Sequence, residues 1–468
     1  MFEVAQLIAG TWGPGRSGRK LTVAGPADGR PVTLVALSSE QDVAAAVEAA
    51  RDVAPGWART APGERGAALH AAADAVEAAA GELADTMSAE MGKPVGDARD
   101  SVMAGVGTLR QYAELGPTHR GRALAGNFDA VDLMAYGPRG VVAVITPWND
   151  PVAVACGLLG AALVTGNTVV HKPSERTPAT GWRLAAVLAP HFPDGVLNLV
   201  NGDGSVGAAL AASPVDVVAQ VGSTATGRSI AAACARTGAK ALLENGGSDP
   251  LIVDAGVDPA WAAAQAALGA FANSGQICVA VERIYVDRTV AEPFLTALTT
   301  EAEQWCDRIG PLVDRRLRDA VDDQVQRALK HGATVLCGGA VPPGPGAFYP
   351  PTVLADCTDD MAVMREETFG PVAPVMTVDS FEEALRRAAD SPYGLAATVL
   401  TPSMSHAQQA WRELPAGTVK INAVFGGAPG GAAHPRRGSG QGYGYGPELL
   451  DEMTATRAVH LEAPPSGW

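Results

Sequence analysis

Short apolar runs alternate with segments of helical period through most of this chain. Val141-Val142-Ala143-Val144-Ile145, Thr168-Val169-Val170, Val196 to Val200, Val215 to Val221 and Ala241 to Glu244 read as strands. Helical segments lie between them, near Val206 to Ala212 and from Thr224 onward. That order predicts a parallel α/β region. Beyond Cys278 a second such region follows: strand Arg283 to Val286, helices through His331, strands Ala333 to Leu336 and Val372 to Val378, helix Phe381 to Ala389 and strand Ala396 to Thr401.

The N-terminal hundred residues read differently. A short strand at Thr33 to Leu37 leads to Ser38-Ser39-Glu40-Gln41, a capping-box start for a helix through Ala50. An alanine-rich helical pattern runs from Gly63 to Met91 and stops at Gly92 and Pro94. This part is expected to be helical packing material with its acids on solvated faces. Gly121 to Arg139 reads as a projecting hairpin with a turn at Asn127 to Asp129, and Ala458 to Glu462 as a terminal strand that pairs with it or with another subunit. Gly426 to Gly446 is dense in glycine.

At 468 residues the chain calls for two or three domains, so a cleft between domains is expected. The net charge of −15 disfavours nucleic acid and anionic membrane surfaces as partners, which leaves small molecules and further copies of the chain. The six cysteines form no C-x-x-C pair and the eight histidines no H-E-x-x-H, so a reduced, metal-free cytoplasmic protein is expected. No basic, apolar leader opens the sequence, and no run of 18 uncharged apolar residues occurs, so no membrane span is expected.

The chemistry concentrates between Leu243 and Cys278. Leu243-Glu244-Asn245-Gly246-Gly247 opens this stretch and Phe271-Ala272-Asn273-Ser274-Gly275-Gln276-Ile277-Cys278 closes it. A carboxylate and a thiol thus bracket one helix, Ala262 to Phe271, whose Ser274-Gly275 stop returns the chain toward its start. Cysteine attacks as thiolate and needs a group to manage its proton, a duty Glu244 can fill.

Ligands of parallel sheets bind where strand ends meet helix starts. Four turns stand out there. Thr146-Pro147-Trp148-Asn149 follows the strand ending at Ile145, and an asparagine so placed can donate its amide to a developing oxyanion. His171-Lys172-Pro173-Ser174-Glu175 places a lysine and a glutamate within reach of ribose hydroxyls, with His171 structural. Gly222-Ser223-Thr224-Ala225-Thr226-Gly227 offers N–H groups and a hydroxyl to a pyrophosphate at a helix N-terminus. Glu366-Glu367-Thr368-Phe369-Gly370-Pro371-Val372 reads as a solvated loop or as a ribose clamp from the second domain.

Together these five motifs, in this order and with 34 residues from Glu244 to Cys278, resemble the aldehyde dehydrogenase superfamily over essentially the whole chain. The resemblance implies two Rossmann-like parallel α/β domains, cofactor-binding and catalytic, plus a small β oligomerisation element. The expected bounds are 1–117 and 139–245 for the dinucleotide-binding domain, 246–440 for the catalytic domain, and 118–138 with 441–468 for the hairpin and tail. It implies Cys278 as nucleophile, Asn149 with the Cys278 N–H as oxyanion hole, and Glu244 as base for hydrolysis. Lys172 and Glu175 correspond to adenosine-ribose contacts, Gly222 and Ser223 to the pyrophosphate turn, Glu367 and Phe369 to the nicotinamide side, and Ser174, with Ile145 to Trp148, to further cofactor-binding residues. NAD, or NADP, is the cofactor implied, an aldehyde the substrate, and a homodimer or homotetramer the assembly.

Departures from the family pattern fall at Asn245 and Ser248, where Leu and Lys are usual, and at Leu158, in place of a relay lysine. Asp150 stands where an aromatic lines the substrate tunnel, and the late glycine motif is reduced to His434-Pro435-Arg436-Arg437-Gly438-Ser439-Gly440. Asp150 and Ile277 are the expected substrate-lining residues. A free Asp150 charge would favour cationic aldehydes, unless it caps a helix or pairs with Arg436 or Arg437. Two rival classes are a cofactor-independent cysteine esterase or acyltransferase, which leaves the Gly222 and Lys172 turns unexplained, and an inactive family member serving as a binding protein.

Overall fold

The computed structural model describes residues 1–426, 432 and 434–464; the centre of the glycine-rich tail, 427–431 and 433, lies outside them. The apolar runs after Gly140 become the parallel centre of an eight-stranded sheet. In space its strands run Lys240–Glu244, Val217–Val221, Val141–Ile145, Thr168–Lys172 and Leu197–Leu199. Val141–Ile145 and Thr168–Lys172 are buried at every position, because helices cover both faces. Val142 and Val144 pack with helices Pro62–Ala78, Val95–Thr118 and Pro151–Val164, whereas Val141 and Ala143 pack with Glu40–Arg59 and Gly204–Ala211.

A second, seven-stranded sheet orders Thr334–Cys337, Thr352–Ala355, Val372–Val378, Val281–Asp287, Asp249–Val253, Ala396–Leu400 and Thr418–Ile421. Asp249–Val253 lies inside this sheet yet goes unnoticed in the sequence. Its five residues open with Asp-Pro, a turn signal, directly after the Asn245 to Ser248 turn.

The N-terminal region is more than helical packing. Five strands precede the first helix: Phe2–Val4, Gln6–Ile8, Thr11–Gly13, Lys20–Ala24 and Pro31–Ala36. Gln6–Ile8 extends the eight-stranded sheet antiparallel to Leu197–Leu199. Strands of three residues are too short to show a period, so the sequence hides them. The capping box is present at Ser39 with Asp42 as its partner, and the helix it opens runs to Arg59, past Ala50. The alanine-rich pattern divides into Pro62–Ala78 and Ala80–Met91, the latter stopping at Gly92 with φ 83°. Buried Glu90 accepts from the Ala179 and Thr180 N–H groups at 2.9 Å each, and so caps helix Pro178–Leu188, whose own Thr177 makes no side-chain cap.

Arg122–Leu124, Ala130–Pro138 and Thr454–Glu462 form a third sheet. The terminal strand pairs with the hairpin of its own chain along all of Ala130–Pro138. Before reaching it, the tail returns to the first sheet: Gly440–Gln441 pairs with Leu243 and Glu244, at a glycine with φ 130°. That contact takes the start of the expected oligomerisation tail back to the base of the cofactor sheet.

Candidate active site

Only four residues separate Glu244, which ends a strand of the first sheet, from Asp249, which begins one of the second. The site forms at this crossing. After helix Pro259–Phe271, Asn273 and Ser274 take positive φ (49° and 58°) and Gly275 follows at 73°. Left-handed non-glycine residues cost roughly 1–3 kcal/mol each and persist where surroundings over-determine them. Here Ser274 Oγ donates to the Gly310 carbonyl at 2.7 Å and Asn273 Nδ2 to the Gln276 carbonyl at 3.1 Å. A Cβ at Gly275 would collide with the Gly370 carbonyl, so the 366–372 loop lies directly against the cysteine loop. Asn149 Nδ2 donates to the same Gln276 carbonyl at 3.0 Å, which brings the strand-end amide to the loop that carries Cys278.

Cys278 is partly accessible. Burial foremost, then the carboxyls of Glu244, Asp249, Glu367 and Asp150, push its thiol up to about 12. Burial raises Glu244 to about 8 against an opposing Gly444 N–H bond, and its Oε1 is buried with no hydrogen-bond partner among the described residues. Burial raises Glu367 to about 7, again against an N–H bond, from Gly247 at 3.0 Å. The resting cleft therefore gathers a protonated thiol and acids whose protons exchange near neutral pH.

The departures have local partners. Asn245 donates from Nδ2 to the Gly438 carbonyl at 3.1 Å and from its backbone to the Ser439 carbonyl at 2.8 Å. Ser439 Oγ donates to the Gly246 carbonyl at 2.8 Å. The altered tail motif thus latches the turn that follows Glu244. Leu158 is buried in the helical core. Asp150 presents no free charge: its carboxylate accepts from Ser101 Oγ, lies 3.7 Å from Lys93 Nζ, and makes no side-chain cap. Arg437 instead donates to the Ala389 and Ser391 carbonyls. The expected preference for cationic aldehydes, which needed an unpaired Asp150, loses its basis. Ile277 is partly accessible beside Cys278.

A cleft of about 730 Å³ opens over the ends of the first sheet. Ile145, Thr146, Pro147 and Trp148 form one wall, Lys172, Ser174 and Glu175 another, and Gly222 with Ser223 a third. Ser223 caps helix Thr224–Thr237, and Ser223, Ala225 and Thr226 line the cleft, so the N-terminus of that helix faces it. Lys172 Nζ stands 3.9 Å from Glu175 and donates to the Pro173 carbonyl at 2.8 Å. Buried His171, held near 3 by burial and by Lys172, is neutral and pairs with Thr146 Oγ1 at 2.9 Å. The Phe369 ring meets Trp148 edge-on at 5.5 Å. These walls fit a dinucleotide: hydroxyl partners at Lys172 and Glu175, and a helix N-terminus for phosphate.

Sequence reasoning missed three contributors. Arg176 lies over Trp148 at 5.1 Å, and its place directly after Glu175, the last residue of a recognised motif, is the signal in the sequence. Glu282 accepts from the Thr368 and Phe369 N–H groups at 2.7 and 2.9 Å, holding Phe369 at φ 54°. Lys420 lies in Thr418–Ile421, a strand that was not picked out.

Residues 12–459 match the Aldehyde dehydrogenase family. The chain is 36% identical over 470 residues to a mitochondrial aldehyde dehydrogenase of Leishmania tarentolae, covering 97% of this chain and 94% of that one. It is 35% identical over 448 residues to a 2-hydroxymuconic semialdehyde dehydrogenase of Pseudomonas sp. (strain CF600), covering 91% and 92%. Among solved structures it superposes with a TM-score of 0.95 on a betaine aldehyde dehydrogenase variant of Staphylococcus aureus in complex with NAD+, at 29% identity and covering 100% and 99% of the two chains. A 3,6-anhydro-L-galactose dehydrogenase in complex with NADP gives a TM-score of 0.95 at 30% identity, covering 98% and 100%. With its two parallel sheets, its cleft and its cysteine loop, the chain belongs to the aldehyde dehydrogenase family, oxidoreductases that work with NAD or NADP.

Proposed function

We propose that this protein oxidises an aldehyde to its carboxylic acid, with Cys278 as nucleophile, Asn149 as oxyanion donor and Glu244 as base. The observation that carries the reading is the convergence of Cys278, Glu244 and the Asn149 amide beside a cleft walled by Trp148, Lys172 and Gly222. Cys278 Sγ adds to the carbonyl carbon as its thiolate, the thiol proton having passed to solvent. The Asn149 amide and the Cys278 N–H stabilise the resulting thiohemiacetal oxygen. A bound nicotinamide cofactor in its oxidised form would supply the hydride acceptor for that carbon. Glu244 then takes a proton from the water that attacks the thioester, which releases acid and thiol. Glu367, which accepts from the Gly247 N–H, and Phe369, held by Glu282, border the nicotinamide side. An esterase working without a dinucleotide leaves the cleft over the first sheet without a use. The test is an aldehyde panel with NAD and NADP, read as absorbance of the reduced nicotinamide; no cofactor binding would end the reading.

NAD is expected to bind more tightly than NADP. Glu175, beside Lys172, accepts from a ribose 2′-hydroxyl and repels a 2′-phosphate. Side-by-side dissociation constants decide it, and tighter NADP binding overturns it.

The assembly is expected to be a homodimer or homotetramer. The third sheet exposes Leu124, Val131 and Leu461, the turn of its hairpin exposes Phe128, and its outer strand Arg122–Leu124 is an unpaired edge among the described residues. Light scattering at micromolar concentration checks this, a monomer mass being the contrary result. Six free cysteines suit a reducing compartment, and we assign the protein to the cytoplasm. No helix among the described residues is long and apolar enough to cross a membrane.

A further inference from the structure

Strand register fixes where Lys420 sits. Lys420 pairs with Thr398, and Thr398 with Leu251, so the three share one face of the second sheet. Leu251 packs in the core built around helix Pro259–Phe271, the helix that leads to the cysteine loop. Val419 and Ile421 pack on the opposite face, with Ile252 and Val399. Thr418 lies two residues earlier on the Lys420 face, and the Tyr445 phenol is raised by burial first and then by the charge of Glu244, with a smaller push from Cys278. Lys420 is therefore rooted on the sheet face that packs against helix Pro259–Phe271, the helix that leads to Cys278.

Among the described residues the Lys420 ammonium has a single hydrogen-bond acceptor. Lys420 Nζ donates to the Val424 carbonyl at 2.7 Å and stands 5.2 Å from the centre of the Phe425 ring. No carboxylate lies within 4.0 Å of it among the described residues, and it has three donors for one acceptor. The tail residues outside the description, 427–431 and 433, are glycine, alanine and proline in sequence and bring no side-chain charge. The acid nearest in effect, Asp249, is buried, accepts from the Ala396 N–H at 3.1 Å, and is pushed well above the usual carboxylate range, chiefly by burial. Burial lowers Lys420 itself, while Asp249 and Cys278 act to raise it. Of the other acids of the site, Glu244 and Glu367 hold protons near neutral pH, and Asp150 is tied to Ser101 and Lys93.

We propose that Lys420 is the anion-holding residue of the aldehyde pocket, so that the favoured substrates carry a carboxylate at the end remote from the aldehyde. This rests on Cys278 as the nucleophile. The remote carboxylate pairs with the ammonium, the Phe425 face packs against the connecting carbons, and the carbonyl is left toward Cys278.

The test compares kcat/KM for three straight-chain aldehydes of equal length ending in carboxylate, amide or ammonium, on wild type, Lys420→Gln and Lys420→Arg. Wild type is expected to favour the carboxylate. Lys420→Gln should lose roughly 10- to 100-fold more with the carboxylate than with the amide, mainly through KM, and Lys420→Arg should restore much of it. Equal losses on all three substrates, or no wild-type preference for the carboxylate, overturn the proposal. A second readout needs no turnover: a short dicarboxylate should slow alkylation of Cys278 by iodoacetamide in wild type but not in Lys420→Gln. Failure to protect wild type overturns the anion site even where aldehydes are oxidised. Protection in wild type with no aldehyde oxidised supports the anion site and faults the reaction instead.

Discussion

Replacing Cys278 by alanine is expected to lower aldehyde-dependent cofactor reduction by at least about 10,000-fold while leaving cofactor affinity within a few-fold of wild type. The loss is large because the hydride can leave only after a covalent bond has turned the carbonyl carbon tetrahedral, and no second thiol stands ready. Cys156, Cys234 and Cys357 are buried, Cys156 in the helical core, and Cys306 and Cys337 lie on or beside the far edge of the second sheet. Affinity is kept because the cleft walls, Ile145 to Trp148, Lys172 to Glu175 and Gly222 with Ser223, do not include Cys278. Trp148 lies in that wall, so quenching of its fluorescence on titration with NAD reads binding in both proteins. Undiminished turnover in the variant would end the assignment of Cys278, and lost binding would place the thiol among the cofactor contacts.

How legible the site was depended on how local each feature is. The strands from Val141 to Glu244 announced themselves because full burial makes continuous apolar runs, and their end turns carry glycine and polar residues for geometric reasons. A Cβ at Gly227, for example, would collide with Asn245 Oδ1, so that glycine serves a packing contact as well as the turn. Three-residue strands such as Gln6–Ile8 have too little sequence to show a period, and they form only because Leu199 offers an edge. Asp150 is the sharper lesson. Its neighbour in sequence is Asn149, but its partners are Ser101 and Lys93, about fifty residues earlier, and no local pattern reveals a pairing of that range. Glu282 and Lys420 were missed for the same reason: the N–H groups of 368 and 369, and the face of strand Thr418–Ile421 that carries Lys420, become visible only once the fold and the sheet register are known.

Replacing Glu244 by glutamine is expected to separate the two halves of the reaction: a burst of reduced cofactor near one per active site, then steady turnover lowered by roughly 100- to 10,000-fold as the thioester stalls. Glutamine fills the same space beside Gly444, so the thiol can still add to the aldehyde, but an amide cannot take a proton from the attacking water. The pH dependence provides the internal check. Burial holds the Glu244 carboxyl at about 8, above its ordinary value, so it carries its proton at neutral pH and serves as a base only in the ionised fraction. Wild-type turnover limited by hydrolysis should therefore climb about tenfold per pH unit below that value and level off above it. In Glu244→Gln the slow steady rate should lack this limb, whereas a retained limb would point to another carboxyl, with Glu367, held at about 7, as the next to replace. A variant with neither burst nor steady rate would show that Glu244 is already needed to deprotonate Cys278, whose thiol at about 12 gives it little thiolate of its own.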